Sequence, residues 1–208
     1  GKQNKGLLAK YIVVLNTIFG KVIMISPPTK PKNKDRRSRE FLSSGEIDKL
    51  IKTARDIGRY GHRDSTMILL AFRHGLRVSE LVSLRWSQFD LKHGLFHVVR
   101  RKNSIDSTHP LSGVEMRALQ KIRRENPGAQ FVFLSERNAP MTDSAFRKML
   151  YRTGEEAKLG LPVHPHMLRH SCGFKLANDG QDTRSIQYYL GHKNIQNTRT
   201  IVDINFIA

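Results

Sequence analysis

The sequence predicts a mainly α-helical domain with one small antiparallel β-sheet, an α+β architecture over residues 41–208, preceded by a basic N-terminal extension over residues 1–40. Three observations carry this expectation. Apolar residues recur at helical spacing in successive capped segments from residue 43 onward, the period changes to two between Phe89 and Leu111, and the first forty residues show neither pattern in a sustained form.

The extension holds the run Tyr11–Gly20, which is apolar but too short to span a bilayer and is flanked by Lys10 and Lys21. The stretch from Ser26 to Lys34 is rich in Pro and Lys, suits a solvated linker or basic arm, and follows no signal-peptide cleavage pattern. Met24 stands as a candidate start within it. From Ser43 the pattern is globular: Ser43 and Glu46 form a capping-box signature, and Ile47, Leu50, Ile51, Ala54 and Ile57 line one helical face up to Gly58. Met67 to Phe72 is apolar on nearly all sides, which predicts a deeply buried second helix ending at His74-Gly75. A third helix follows closely, with Val78, Leu81, Val82 and Leu84 facing inward.

Phe89 to Leu91, a turn at Lys92-His93-Gly94, and Leu95 to Arg100 read as a hairpin, with Ser107 to Leu111 as a third strand. Ser112 and Glu115 repeat the capping box and open a helix stopped at Asn126-Pro127-Gly128. Phe131 to Leu134 reads as a short buried strand or extended segment, and Thr142 caps a helix that runs toward Gly160. The last two helices are expected from Pro165 to Asn178, closed by Gly180, and from Thr183 to Leu190, closed by Gly191.

Charge narrows the function classes. The chain has 208 residues with 36 Lys and Arg against 18 Asp and Glu, a formal net charge of +18, and residues 1–40 alone contribute +8. Such a field favours a phosphate polymer as partner. The mean hydropathy of −0.46 and the single Cys172 argue against a membrane-embedded protein, a disulfide scaffold or a cysteine-based zinc site, and favour a reducing, cytoplasmic setting.

Three clusters place polar residues where packing does not ask for them. In His74-Gly75-Leu76-Arg77-Val78-Ser79-Glu80-Leu81, Arg77 lies in the tight turn between two helices with Glu80 one turn on. The pair reads either as a guanidinium aimed at a phosphate or as an i,i+3 surface ion pair. In His164-Pro165-His166-Met167-Leu168-Arg169-His170, His166 and Arg169 share a face near a helix N-terminus, which suits an anion. His166 and His170 at i,i+4 leave a zinc reading open, although neither an HExxH glutamate nor a cysteine cluster accompanies them. In Tyr188-Tyr189-Leu190-Gly191-His192, a histidine follows a helix C-terminus, and separately Lys102 sits in Arg100-Arg101-Lys102-Asn103 at a strand end.

Taken together, HGLRVSEL, the strand-end lysine, HPHMLRHSCG and YYLGHKNIQNT resemble the catalytic domain of the tyrosine recombinases, the phage integrase family of site-specific DNA recombinases. The resemblance runs from about Phe41 to Thr198, and the THPL and HPHMLRH strings look most like the fimbrial phase-variation invertases. It implies that Arg77 and Arg169 clamp the nonbridging oxygens of the scissile phosphate. Lys102 would protonate the 5′-hydroxyl leaving group, His166 and His192 would hydrogen-bond the phosphate, and Glu80 would support Arg77. Arg73, Arg100, Arg101 and Lys193, which flank these positions, are expected to contact DNA. The chemistry implied needs no metal or other cofactor, takes double-stranded DNA as partner, assembles as a dimer or tetramer on it, and involves no membrane.

One departure accompanies the resemblance. The family places a tyrosine nucleophile about ten residues after the L-G-H string, where this chain has Asn197-Thr198-Arg199-Thr200-Ile201-Val202. Ile201 occupies the expected tyrosine position, and the domain reads as truncated or altered after Thr198. A non-catalytic DNA-binding relic or regulator at recombination sites is therefore the rival expectation.

Overall fold

The computed structural model describes residues 39–100, 104–196 and 198. The expectations for residues 1–38, for Arg101 and Lys102 and for Ile201 fall outside these residues. The first helix, α1 (Ser44–Asp56), begins where predicted: the Ser43 backbone N–H donates to Glu46 Oε2 at 2.8 Å, and Ile47, Leu50 and Ala54 are buried. The next, α2 (Gly61–Arg73), is the central helix, and Met67, Ile68 and Leu70 along it are fully enclosed. It packs on α1 and on three later helices, which explains why Met67 to Phe72 is apolar on nearly all sides.

The third helix, α3 (Val78–Val82), is only five residues long, and Leu84 beyond its end is still buried. A 3₁₀ turn at Trp86–Gln88 leads into the sheet, formed by β1 (Phe89–Asp90), β2 (Leu95–Val98) and β3 (Ser107–Pro110) in the order β1-β2-β3. All pairings are antiparallel; Phe89 lies opposite Phe96 with their rings stacked at 4.4 Å, and Phe96 lies opposite His109.

Helix α4 (Gly113–Glu125) starts at the Ser112–Glu115 capping box. The segment after it takes the extended alternative: Val132 and Phe133 are buried, but only isolated bridges, Arg85 with Phe131 and Leu134 with Pro140, join it to the chain. Helix α5 (Asp143–Glu156) is capped by Thr142. The predicted bounds of α6 (Pro165–Asn178) and α7 (Thr183–Leu190) coincide with the observed ones, because Pro165 at the first helical position, Asp182 as N-cap and left-handed Gly191 punctuate them unambiguously. The main core gathers around Phe96, Phe133, Phe146 and the enclosed face of α2, and a smaller cluster joins Cys172, Ile186 and Leu190 between α6 and α7. Among the described residues no helix is long and apolar enough to cross a membrane.

Candidate active site

Four pieces of chain meet at one place: the α2–α3 turn, the end of β2, the first turns of α6 and the C-terminus of α7. Gly75 makes the approach possible. Its φ of +56° is left-handed, and a Cβ there would collide with Leu190 Cδ2 and lie 3.3 Å from Cys172 Sγ. The polypeptide can therefore turn from α2 into α3 directly against α6 and α7.

Arg77, the residue before α3, donates from its backbone N–H to Glu80 Oε2 at 2.9 Å and from Nη1 to Glu80 Oε1 at 2.8 Å. The ion-pair reading and the phosphate reading thus coexist in one geometry: the Glu80 side chain is buried, while that of Arg77 keeps 26% of its surface in solvent. Burial pushes the Glu80 carboxyl up, but the Arg100 charge and the Arg77 backbone and side chain outweigh it and hold the group below the usual carboxylate range.

Arg169 reaches inward from α6. Its Nη1 makes a short hydrogen bond to the Gly75 carbonyl, and its Nη2 donates to the Leu190 carbonyl at 2.7 Å. Burial first, and then the Arg100 and Arg77 charges, push it down to about 9, so it remains charged at neutral pH. His192 follows α7 and is buried, with Nδ1 3.0 Å from Thr198 Oγ1. Burial and the nearby Arg169, Arg77 and Arg100 charges depress it to about 3, so the ring is neutral at physiological pH. His166 is exposed at the start of α6 and is pushed down by desolvation and by Arg147, Arg169 and Arg77.

Arg100, expected at a DNA-facing surface, is enclosed in this structure. Its side chain is 0% exposed: Nη1 donates to Glu80 Oε2 at 3.0 Å and to the Gly75 carbonyl at 3.3 Å. Nη2 donates to the carbonyls of His74 and Tyr189 at 3.1 and 2.7 Å. Strand parity explains the inward direction, since Phe96, Val98 and Arg100 are buried while His97 and Val99 are exposed. The same alternation was present in the sequence and is the signal that identifies this residue. Arg73 is exposed, but its guanidinium lies 3.7 Å from Glu115 and lines a cavity of about 630 Å³ together with His74 and Tyr189. Lys193 is exposed directly beside His192. Among the described residues no group of three or more His, Cys, Asp or Glu side chains gathers as metal ligands would, and His170 near His166 is only half-buried.

Arg77 with its partner Glu80, Arg169, His166 and His192 thus lie on neighbouring elements, the α2–α3 turn, α3, the first turns of α6 and the end of α7. The sequence model described as "Phage integrase family" matches residues 40–206, and the chain belongs to that family. It is 45% identical over 173 residues to the type 1 fimbriae regulatory protein FimB of Escherichia coli K12, covering 80% of this chain and 86% of FimB. With FimE of the same strain it shares 37% over 166 residues, covering 77% and 83%. Tyrosine recombinase XerC of Bacillus pumilus is 32% identical over 181 residues, 82% of this chain and 59% of XerC. Among solved structures, XerA recombinase superposes with a TM-score of 0.70 at 26% identity, over 78% of this chain and 59% of XerA. The chain thus spans about six tenths of the XerA chain. XerH bound to palindromic difH, with a TM-score of 0.70 at 19% identity over 84% of this chain and 52% of XerH, shares the fold.

Proposed function

We propose that this chain is the catalytic domain of a site-specific DNA recombinase, which binds duplex DNA and grips one scissile phosphodiester between Arg77 and Arg169. The observation that carries the reading is the linkage of these two guanidiniums through Glu80, Arg100 and the Gly75 carbonyl. In that linked set three guanidiniums face one carboxylate, which leaves an excess of +2. A phosphodiester carries one negative charge and gains a second as it becomes pentacoordinate, so the excess is matched to the transition state more closely than to the ground state.

His192, neutral and held at Nδ1 by Thr198, offers Nε2 to a phosphate oxygen, and His166 stands at the rim. Lys102 is assigned the proton delivered to the 5′-oxygen as the phosphorus–oxygen bond breaks. In the family a tyrosine oxygen forms the new bond to phosphorus and the 3′-phosphotyrosine stores it. Here Ile201 has no such oxygen, which supports a second reading: a non-catalytic DNA-binding relic or regulator at recombination sites. Under either reading the chain works where the cell keeps its DNA, in the cytoplasm, as a dimer or tetramer on its site.

Selection of bound duplexes from a random library supplies the test substrate, to be nicked beside the scissile position. The recombinase reading expects a covalent protein–DNA adduct from Ile201→Tyr and none from the parent chain. If Ile201→Tyr binds the selected duplex and never forms the adduct, the relic reading replaces it. An adduct with the parent chain would reveal a different nucleophile, located by peptide mapping.

A further inference from the structure

Arg100 occupies a position that neither phosphate-binding arginine can occupy for itself. It shares the Glu80 carboxylate with Arg77, and it shares the Gly75 carbonyl with Arg169. Its other donors hold the His74 carbonyl, at the end of α2, and the Tyr189 carbonyl, in the last turn of α7. The backbone N–H of the same residue donates to Asp106 Oδ1 at 2.7 Å, which ties the far end of β2 to the start of β3. One fully buried guanidinium therefore bonds directly to the α2–α3 turn, to α3 and to α7, and it reaches α6 through the Gly75 carbonyl that it shares with Arg169; Lys102 lies two residues further along the sequence.

The packing around its stem is equally specific. Gly191 has a φ of +67°, and a Cβ added there would stand 3.0 Å from Arg100 Cγ, 3.1 Å from Arg100 Nε and 2.8 Å from the Ile105 carbonyl. The glycine of the L-G-H string thus leaves room for the Arg100 side chain, besides allowing the backbone to turn toward His192. A lysine would fit the channel but offers one compact ammonium in place of a planar fork, and it cannot reach a carboxylate and three carbonyls at once.

We propose that Arg100 is a positioning residue that sets the distance and orientation between Arg77 and Arg169, and so determines whether the two can hold one phosphate together. It touches no DNA in this assignment. The inference rests on the recombinase reading for its purpose, but its geometric content can be tested separately.

The test compares the full-length protein with Arg100→Lys and Arg100→Gln, both long polar replacements. The first measurement is the ¹⁵N–¹H NMR spectrum of the arginine side chains. In the parent, Arg77 and Arg169 should give resolved, slowly rotating guanidinium signals, and in both variants these should broaden or average. The second is the affinity for orthovanadate, an oxyanion of phosphate shape, followed on the His192 ring signals. It is expected to fall at least about tenfold, since a clamp displaced by an ångström loses most of its advantage. Affinity for duplex DNA at moderate salt should stay within about threefold, because exposed cations supply it.

If the Arg77 and Arg169 signals are unchanged in both folded variants, the inference is overturned whatever the protein binds. If they change while vanadate binds equally, the positioning has no bearing on phosphate and the inference is likewise lost. Should the parent show the ordered arginines but bind no vanadate, the recombinase reading fails while the geometric linkage stands. Failure of both variants to fold would make Arg100 a folding residue and nothing more.

Discussion

His74 and His109 meet Nδ1 to Nδ1 at 3.1 Å inside the core. One of the two must donate and the other accept, so the pair can hold a single proton between the two nitrogens, and Nε2 of His109 faces the Ser107 hydroxyl at 2.8 Å. Burial, then the His74 and Arg100 charges, depress His109 to about 3, and Tyr189 stacks on its ring at 3.8 Å. His192, in the candidate active site, is depressed to a similar value. Both groups bind protons more readily in the unfolded chain. Their contribution to stability is therefore complete above about pH 6.5 and declines as the pH falls toward 3, by about 1.4 kcal/mol per pH unit for each. Urea titrations between pH 7 and pH 4 should show this loss, and His109→Gln should reduce the slope by about 1.4 kcal/mol per pH unit, its own share. A pH-independent midpoint over that range would contradict the assignment.

Among the described residues, Glu80 is the carboxylate that both Arg77 and Arg100 engage. Glu80→Leu leaves the enclosed Arg100 guanidinium without its counter-charge, and the expected loss is about 3–5 kcal/mol in chemical denaturation. Replacing both partners, as Glu80→Leu with Arg100→Met, should recover most of that stability, because a matched apolar pair carries no desolvation penalty. The phosphate grip should not return with it. A double variant that is stable but fails to bind vanadate separates the ion pair's role in the site from its role in folding.

Much of this arrangement was legible in the sequence because its punctuation is local. Ser43 with Glu46, Ser112 with Glu115, Pro165 and Gly191 fix helix ends within a few residues of themselves, and the observed elements start and stop there. The shortness of α3 was not legible, since Leu84 continues the inward-facing pattern after the helix has ended. Nor was the bridging at Phe131 and Leu134, where each partner is a single residue far along the chain. The burial of Arg100 was not legible, because an arginine at a strand end ordinarily faces solvent; only the alternation through Phe96 and Val98 pointed inward. The convergence of Arg77 on Arg169 depends on contacts between residues about ninety positions apart, which spacing alone cannot specify.

Gly191 offers a more local check. Alanine there must adopt a left-handed φ of +67° and also displace the Arg100 stem or the Ile105 carbonyl. The conformational part alone costs about 1 kcal/mol, and the steric part adds to it. Gly191→Ala should therefore lower stability by more than Gly180→Ala, where φ is +80° but nothing lies within 4 Å of the added carbon. Equal losses in the two variants would show that Arg100 yields without resistance.

Lys193 and Arg100 were both expected to contact DNA, and the structure separates them: Lys193 is exposed beside His192, whereas the Arg100 side chain is wholly enclosed. Their substitutions should affect binding differently. Each phosphate contact releases counterions, so removing one lowers the slope of log K against log salt by about one unit. Lys193→Ala should show that reduction in fluorescence anisotropy with a labelled duplex, together with a uniform weakening across DNA sequences. Arg100→Gln should leave the slope unchanged, because a guanidinium already engaged with Glu80 and three carbonyls displaces no ions from DNA. A slope that drops with Arg100→Gln and not with Lys193→Ala would mean that the buried arginine swings out on binding, and the site would then have to be rebuilt around a different resting geometry.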